Sequence, residues 1–136
     1  QAVLLDGIAD GAIVGEALLA DDDRNTIEVF NNLTSYGTGV TGVVARSGPE
    51  ALIMAGRLRP KLIIFDLFIG QADGFAVLKS LTGDEATGEA EIYASSLSLS
   101  PDIVRAATGC GVASVLKRPL ESRTLSRLIG GLRRSS

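Results

Sequence analysis

The chain has 136 residues, 46% hydrophobic but only 4% aromatic, with 21% charged and a formal net charge of −3. That length suits one domain with one sizeable core, and a mild acidic excess argues against holding nucleic acid by its phosphates, Arg127, Arg133 and Arg134 being too sparse to alter this. The absence of histidine removes imidazole bases, His-ligated metals and the phosphohistidine side of any relay, and the single Cys110 has no partner for a disulfide or a thiolate zinc site.

Residues 1–15, QAVLLDGIADGAIVG, lack the basic stretch of a signal peptide, and no run reaches the roughly 18 apolar residues of a membrane span. A soluble cytoplasmic domain over residues 16–136 is therefore expected, preceded by an N-terminal extension or linker and open to being a piece of a longer protein. From residue 16 the run EALLA (16–20) reads as a strand that stops at three aspartates. Ile27, Phe30 and Leu33 then recur at helical spacing. A glycine-rich turn from Gly37 to Gly42 leads to Val43, Val44 and Ala45, a second strand. Ser47 and Pro49 supply a cap and first turn for a helix carrying Ala51, Leu52, Ala55 and Leu58, which must stop before Pro60.

KLIIF (61–65) is continuously apolar, the pattern of a strand buried on both faces at the centre of a parallel sheet, and it ends at Asp66. After Asp73 and Gly74, the residues Phe75, Leu78 and Leu81 continue at helical spacing, followed by a polar loop (82–90) and a fourth strand, EIYAS (91–95). Ser100, Pro101 and Asp102 open a helix with Ile103, Ala106 and Ala107 expected on its inner face and Gly109 and Gly111 after it. Cys110 is expected as a small buried residue at that helix end. Val112 to Leu116 reads as the fifth strand, and Leu125, Leu128, Ile129 and Leu132 close the chain with an amphipathic helix. Five strands alternating with five helices predict an α/β fold, a doubly wound parallel sheet.

Several motifs match by letter only. Gly37 to Gly42 spells G-x-G-x-x-G, yet a dinucleotide site needs that turn to follow a strand and open a helix, and here the order is reversed. Asp6 to Gly11 and the stretch from Asp21 both fail as calcium loops, because their twelfth positions are Ala17 and Asn32. The sequon Asn32-Leu33-Thr34 has no secretory context.

The carboxyl ends of parallel strands converge on one edge, where ligands bind. Asp21, Asp22 and Asp23 end the first strand and Asp66 the third, so adjacent strands would gather several carboxylates in one pocket. Like charges this close raise one another's pKa or demand a cation, and such an all-oxygen cluster suits Mg²⁺. The competing reading is that the aspartate triplet only caps the first helix and that Asp66 caps a turn.

At this point the chain resembles, over about residues 16–134, the receiver domain of two-component response regulators. The residues that carry the resemblance are the acidic pair Asp21-Asp22, Asp66 behind a buried strand, Asp73-Gly74 in the following loop, Ala51-Leu52, Ser96 after the fourth strand and Pro119 after the fifth. The resemblance implies a flavodoxin-like receiver fold with strand order 2-1-3-4-5. It implies phosphoryl transfer from a histidine kinase or phosphotransfer protein to Asp66, with Mg²⁺ held by Asp22, Asp66 and the Phe68 carbonyl and by Asp21 through water, and with Ser96 bonding a phosphoryl oxygen. It further implies an effector domain or homodimer contact on the face of the fourth helix, fifth strand and fifth helix, with no direct nucleic-acid or membrane contact.

The chain departs from the family at four positions. Arg118 stands where the family has Lys, with Lys117 one residue earlier and expected on the opposite face. Val115 takes the place of a switching aromatic ring, Ser96 or its neighbour Ser95 the place where Thr is commoner, and Gly70 the place of a proline, which predicts a looser loop. The Arg118 ion pair is expected to be exposed and to add little to stability. The alternative is a degenerate receiver that keeps the fold and binds a partner without being phosphorylated. A small hydrolase would need a cap insertion for which the chain has no room.

Overall fold

The structure is a computed structural model, which describes residues 16–35, 38–71, 74–83 and 89–135. The expected extension at 1–15, Asp73 of the Asp73-Gly74 pair and Gly37 lie outside the described residues. Five strands, β1 (Ala17–Ala20), β2 (Gly42–Ala45), β3 (Leu62–Asp66), β4 (Glu91–Ser96) and β5 (Ser114–Lys117), form one sheet of order β2-β1-β3-β4-β5. Every pairing is parallel. The helices are α1 (Arg24–Leu33), α2 (Gly48–Leu58), α3 (Gly74–Gly83), α4 (Pro101–Gly109) and α5 (Ser122–Ser135). This is the flavodoxin-like receiver fold, with the strand order that the resemblance implies.

Alternation along the central strands divides the core in two, because successive strand side chains face opposite ways. Leu18, Ala20, Ile63 and Phe65 pack with Ala51, Ala55, Leu78, Leu81 and Ala107 on one face, under α2, α3 and α4. Ala17, Leu19, Leu62 and Ile64 pack with Ile27, Phe30, Leu125 and Ile129 on the other, under α1 and α5. β1 and β3 are buried throughout, as a strand covered on both faces requires.

The helix starts follow their capping chemistry. Asp23 accepts the Thr26 amide, Ser47 the Glu50 amide and Ser100 the Ile103 amide, each satisfying a donor that the first turn leaves unpaired. Pro49 and Pro101 sit in first turns, where no amide proton is needed. Gly74 is fixed by space: a Cβ there would lie 1.9 Å from the Leu67 carbonyl oxygen, so only glycine lets α3 begin against the loop after β3.

Some expectations shift. Val112 is buried but precedes β5, which pairs with β4 only from Ser114 opposite Tyr93. Ala106 is exposed, because Ile103 and Ala107, four apart, define the inner face of α4 and leave it to the side. Gly109 ends α4 rather than following it, and Cys110 is half-buried as the cap, not buried. The loop after β3 is not simply looser: Ile69–Gln71 form a 3₁₀ turn with Gly70 at φ 62, a left-handed conformation that proline, with φ fixed near about −65°, cannot take.

Candidate functional site

The aspartate triplet splits into three roles. Asp23 does cap α1, its Oδ2 accepting from the Thr26 amide at 2.9 Å and the Thr26 hydroxyl at 2.7 Å. The Thr26 hydroxyl and amide, with a smaller pull from Arg118, hold the Asp23 carboxyl below its ordinary value against a slight opposing effect of burial. Asp22 is exposed. Asp21 is fully buried at the end of β1. The capping reading therefore explains one aspartate of three.

Because β1 and β3 are neighbours in register, Ala20 opposite Phe65, the residues that follow them meet at the carboxyl edge of the sheet. Asp21, Asp22 and Asp66 each offer an oxygen, and these oxygens lie within 4.8 Å of one another. Asp66 is 7% exposed, and its Oδ1 accepts the Phe68 amide at 3.0 Å. Burial pushes the Asp66 carboxyl above its ordinary value, and the negative charges of Asp21 and Asp22 add to this. The Phe68 amide and Arg118 oppose it without cancelling it.

The cation is supplied from the far edge of the sheet. Arg118, just beyond β5, points its guanidinium over β4 and β3 to β1: Nη1 donates to Asp21 Oδ2 at 2.7 Å and Nη2 to Asp21 Oδ1 at 3.1 Å. Nη1 also donates to Ser95 Oγ at 2.8 Å and lies 3.9 Å from Asp66 Oδ2. The Arg118 side chain is 11% exposed and that of Asp21 0%, so the expectation of an exposed ion pair is overturned: this is a buried, two-point pair. Burial alone would lower the Arg118 pKa, but the bonds and charges of Asp21, with Asp66 and Asp23, leave it raised. Lys117 is exposed and its ammonium donates to the Leu97 carbonyl, outside the pocket.

Ser96 is buried at the end of β4, its Oγ accepting the Ser98 amide at 3.2 Å while its carbonyl accepts the Arg118 amide at 2.8 Å. Phe68 sits in the loop above Asp66 with its ring half-exposed, joined to the site by its amide. Val115 is half-buried against the core. Sequence reasoning named Ser95 only as an alternative to Ser96 and missed its bond to Arg118. Its signal was its place in register opposite Asp66, which requires knowing which strands are neighbours.

With this geometry in hand, the comparisons with known proteins are direct. Residues 17–130 match the response regulator receiver domain. The chain belongs to that family. It is 34% identical over 113 residues to the transcriptional regulatory protein GlrR of Escherichia coli strain K12, and equally to QseF of Escherichia coli O157:H7, covering 82% of this chain and 24% of each relative. The chain thus spans about a quarter of the length of these relatives. Among solved structures, chemotaxis protein CheY4 of Vibrio cholerae is similar with a TM-score of 0.73 at 23% identity, covering 90% of this chain and 98% of that one. The signal receiver domain of a DNA-binding response regulator from Colwellia psychrerythraea is similar with a TM-score of 0.72 at 21% identity, over 87% and 97% of the two chains. At such identities the structures speak for the fold.

A divalent cation is implied by the family, and the donor set fits one. Asp22 and Asp66 present hard carboxylate oxygens without any nitrogen or sulfur ligand, the chemistry that selects Mg²⁺. Asp21 lies in the same cluster with both oxygens already engaged.

Proposed function

We propose that this receiver domain accepts a phosphoryl group on Asp66 from a phosphohistidine of a histidine kinase or phosphotransfer protein. The observation that carries the reading is the Asp66 carboxylate itself. Its Oδ1 is held by the Phe68 amide, while its Oδ2 accepts no hydrogen bond among the described residues and faces Arg118 across 3.9 Å. Oδ2 attacks phosphorus, an O–P bond forms as the P–N bond to the partner's imidazole breaks, and the imidazole leaves with the electron pair. A carboxyl pushed up in pKa is a better nucleophile than an ordinary one once ionised.

Such a transfer is catalysed mainly by positioning and by neutralising charge. Asp22 and Asp66, with Asp21 and the Phe68 carbonyl, are the residues that would hold Mg²⁺, which when bound neutralises charge on the transferring oxygens. Arg118 supplies a fixed positive charge to the same side, and Ser96, at the neighbouring strand end, supplies a hydroxyl for a phosphoryl oxygen. Water attack on the acyl phosphate would later regenerate the carboxylate, which makes the domain a signalling module that assists its own phosphorylation and dephosphorylation. The output surface is the face of α4, β5 and α5, where Arg105, Thr108, Arg123 and Arg127 are exposed, and its partner is an effector domain or a second copy.

The test is mass spectrometry after treatment with acetyl phosphate and Mg²⁺. One base-labile phosphoryl group is expected on the parent and none on Asp66→Asn. An unlabelled parent would overturn the reading in favour of a receiver that works without phosphorylation, and labelling undiminished in Asp66→Asn would move the acceptor elsewhere.

A further inference from the structure

The Arg118 guanidinium engages Asp21, one of the three carboxylates that cluster at this edge. Asp21 is fully buried, and its oxygens are spoken for: Oδ2 by Nη1 at 2.7 Å, Oδ1 by Nη2 at 3.1 Å and by the Asp23 amide at 2.9 Å. A third anchor comes from Ser95, whose Oγ takes Nη1 at 2.8 Å and which is itself fully buried opposite Asp66 in the β3–β4 register. The guanidinium is thus held between a carboxylate and a hydroxyl, bonding both oxygens of Asp21 and reaching Ser95. A lysine ammonium carries its three donors on a single atom and cannot reproduce the planar two-nitrogen pair with Asp21.

We infer that Asp21 and Ser95 form a clamp for Arg118 that competes with the divalent cation, so that metal entry requires Asp21 to exchange the guanidinium for the ion. This rests on the Mg²⁺ reading above. Three carboxylates crowd the pocket and one guanidinium already offsets part of their charge, so the site has a cation of its own before any metal arrives. A dication placed among the same oxygens repels the guanidinium, and the Oδ2 atom of Asp66, 3.9 Å from Nη1, is the next acceptor in reach. The exchange would therefore release the cationic fork from Asp21. Ser95 sets how tightly the fork is held, and so how much metal is needed to release it.

The experiment is an NMR titration of the whole chain with MgCl₂ at constant ionic strength, following the backbone amides of Asp22 and Phe68. Parent, Ser95→Ala and Arg118→Lys are compared, two variants that leave the net charge unchanged. Ser95→Ala removes one anchor and Arg118→Lys removes the two-point pair, so both should bind Mg²⁺ about threefold to tenfold more tightly than the parent, the scale of one ordinary lost hydrogen bond. Equal affinity in all three would overturn the clamp and leave the Mg²⁺ reading standing. Absence of binding in all three would overturn both. Should Arg118→Lys fail to fold by circular dichroism, Ser95→Ala decides alone.

Discussion

The two ends of the same parallel sheet treat charge in opposite ways. At the end where the strands begin, Lys61 and Glu91 are exposed, and a groove there carries Arg59, Lys61, Glu89 and Glu91 around Leu128 and Leu132. At the end where the strands finish, Asp21, Asp66, Ser95 and Ser96 are buried. Charges left in water need no partner and contribute little, whereas a buried carboxylate without one is costly, so the finishing end alone recruits a cation from 97 residues away. Proximity in the chain has no part in that choice.

The largest expected effect breaks the contrast directly. Arg118→Ala should destabilise the metal-free protein by about 3–5 kcal/mol, because it strands a fully buried Asp21, while Lys61→Ala at the opposite end should fall within about ±0.5 kcal/mol. Urea denaturation of the two variants in EDTA measures both, and similar losses would erase the distinction between the ends. A smaller effect, of opposite sign, belongs to Asp66→Asn. The folded carboxyl titrates above its ordinary value of 3.8, so its contribution favours folding below that pH and is lost as pH rises through the folded value. At neutral pH the ionised group costs stability, and the amide should raise Tm by roughly 2–5 °C, with the gain shrinking to nothing toward pH 3.8 and below.

The smallest effect lies nearer the exposed end, on β4. The Tyr93 hydroxyl donates to the Glu91 carboxylate, and that bond, with burial and the Glu91 charge, pushes the phenol up to about 12 from 10.0. The stability this contributes is present below pH 10 and lost as pH rises through about 12. Tyr93→Phe should lack that alkaline decline, a difference under about 1 kcal/mol for a solvent-facing bond. A decline of equal size in the variant would remove Tyr93 as its source.

The fold was legible because its signals are local. The unbroken run KLIIF announces a strand covered on both faces, and Ser47-Gly48-Pro49 and Ser100-Pro101 announce helix starts, each by chemistry that acts within a few residues. The acidic end of the site was legible for the same reason, since Asp21 and Asp66 each close a strand. The grip on Arg118 was not. Spacing put its side chain near the pocket, but whether it would be exposed, and that Ser95 rather than Ser96 would hold it, depends on four strands coming into register. Gly70 shows the converse: its letter suggested slackness, while its φ of 62 shows a defined turn.

The span of Arg118 has a mechanical side. β5 is one of the two edge strands, with Ser114 and Lys117 exposed, the kind of edge that frays first. Its last residue leads straight into a side chain anchored to β1, with β3 and β4 lying between, so the guanidinium acts as a tie-rod across the sheet. The edge strand cannot peel away without dragging that rod out of the interior, and transient opening of the rim and dismantling of the pocket become a single event.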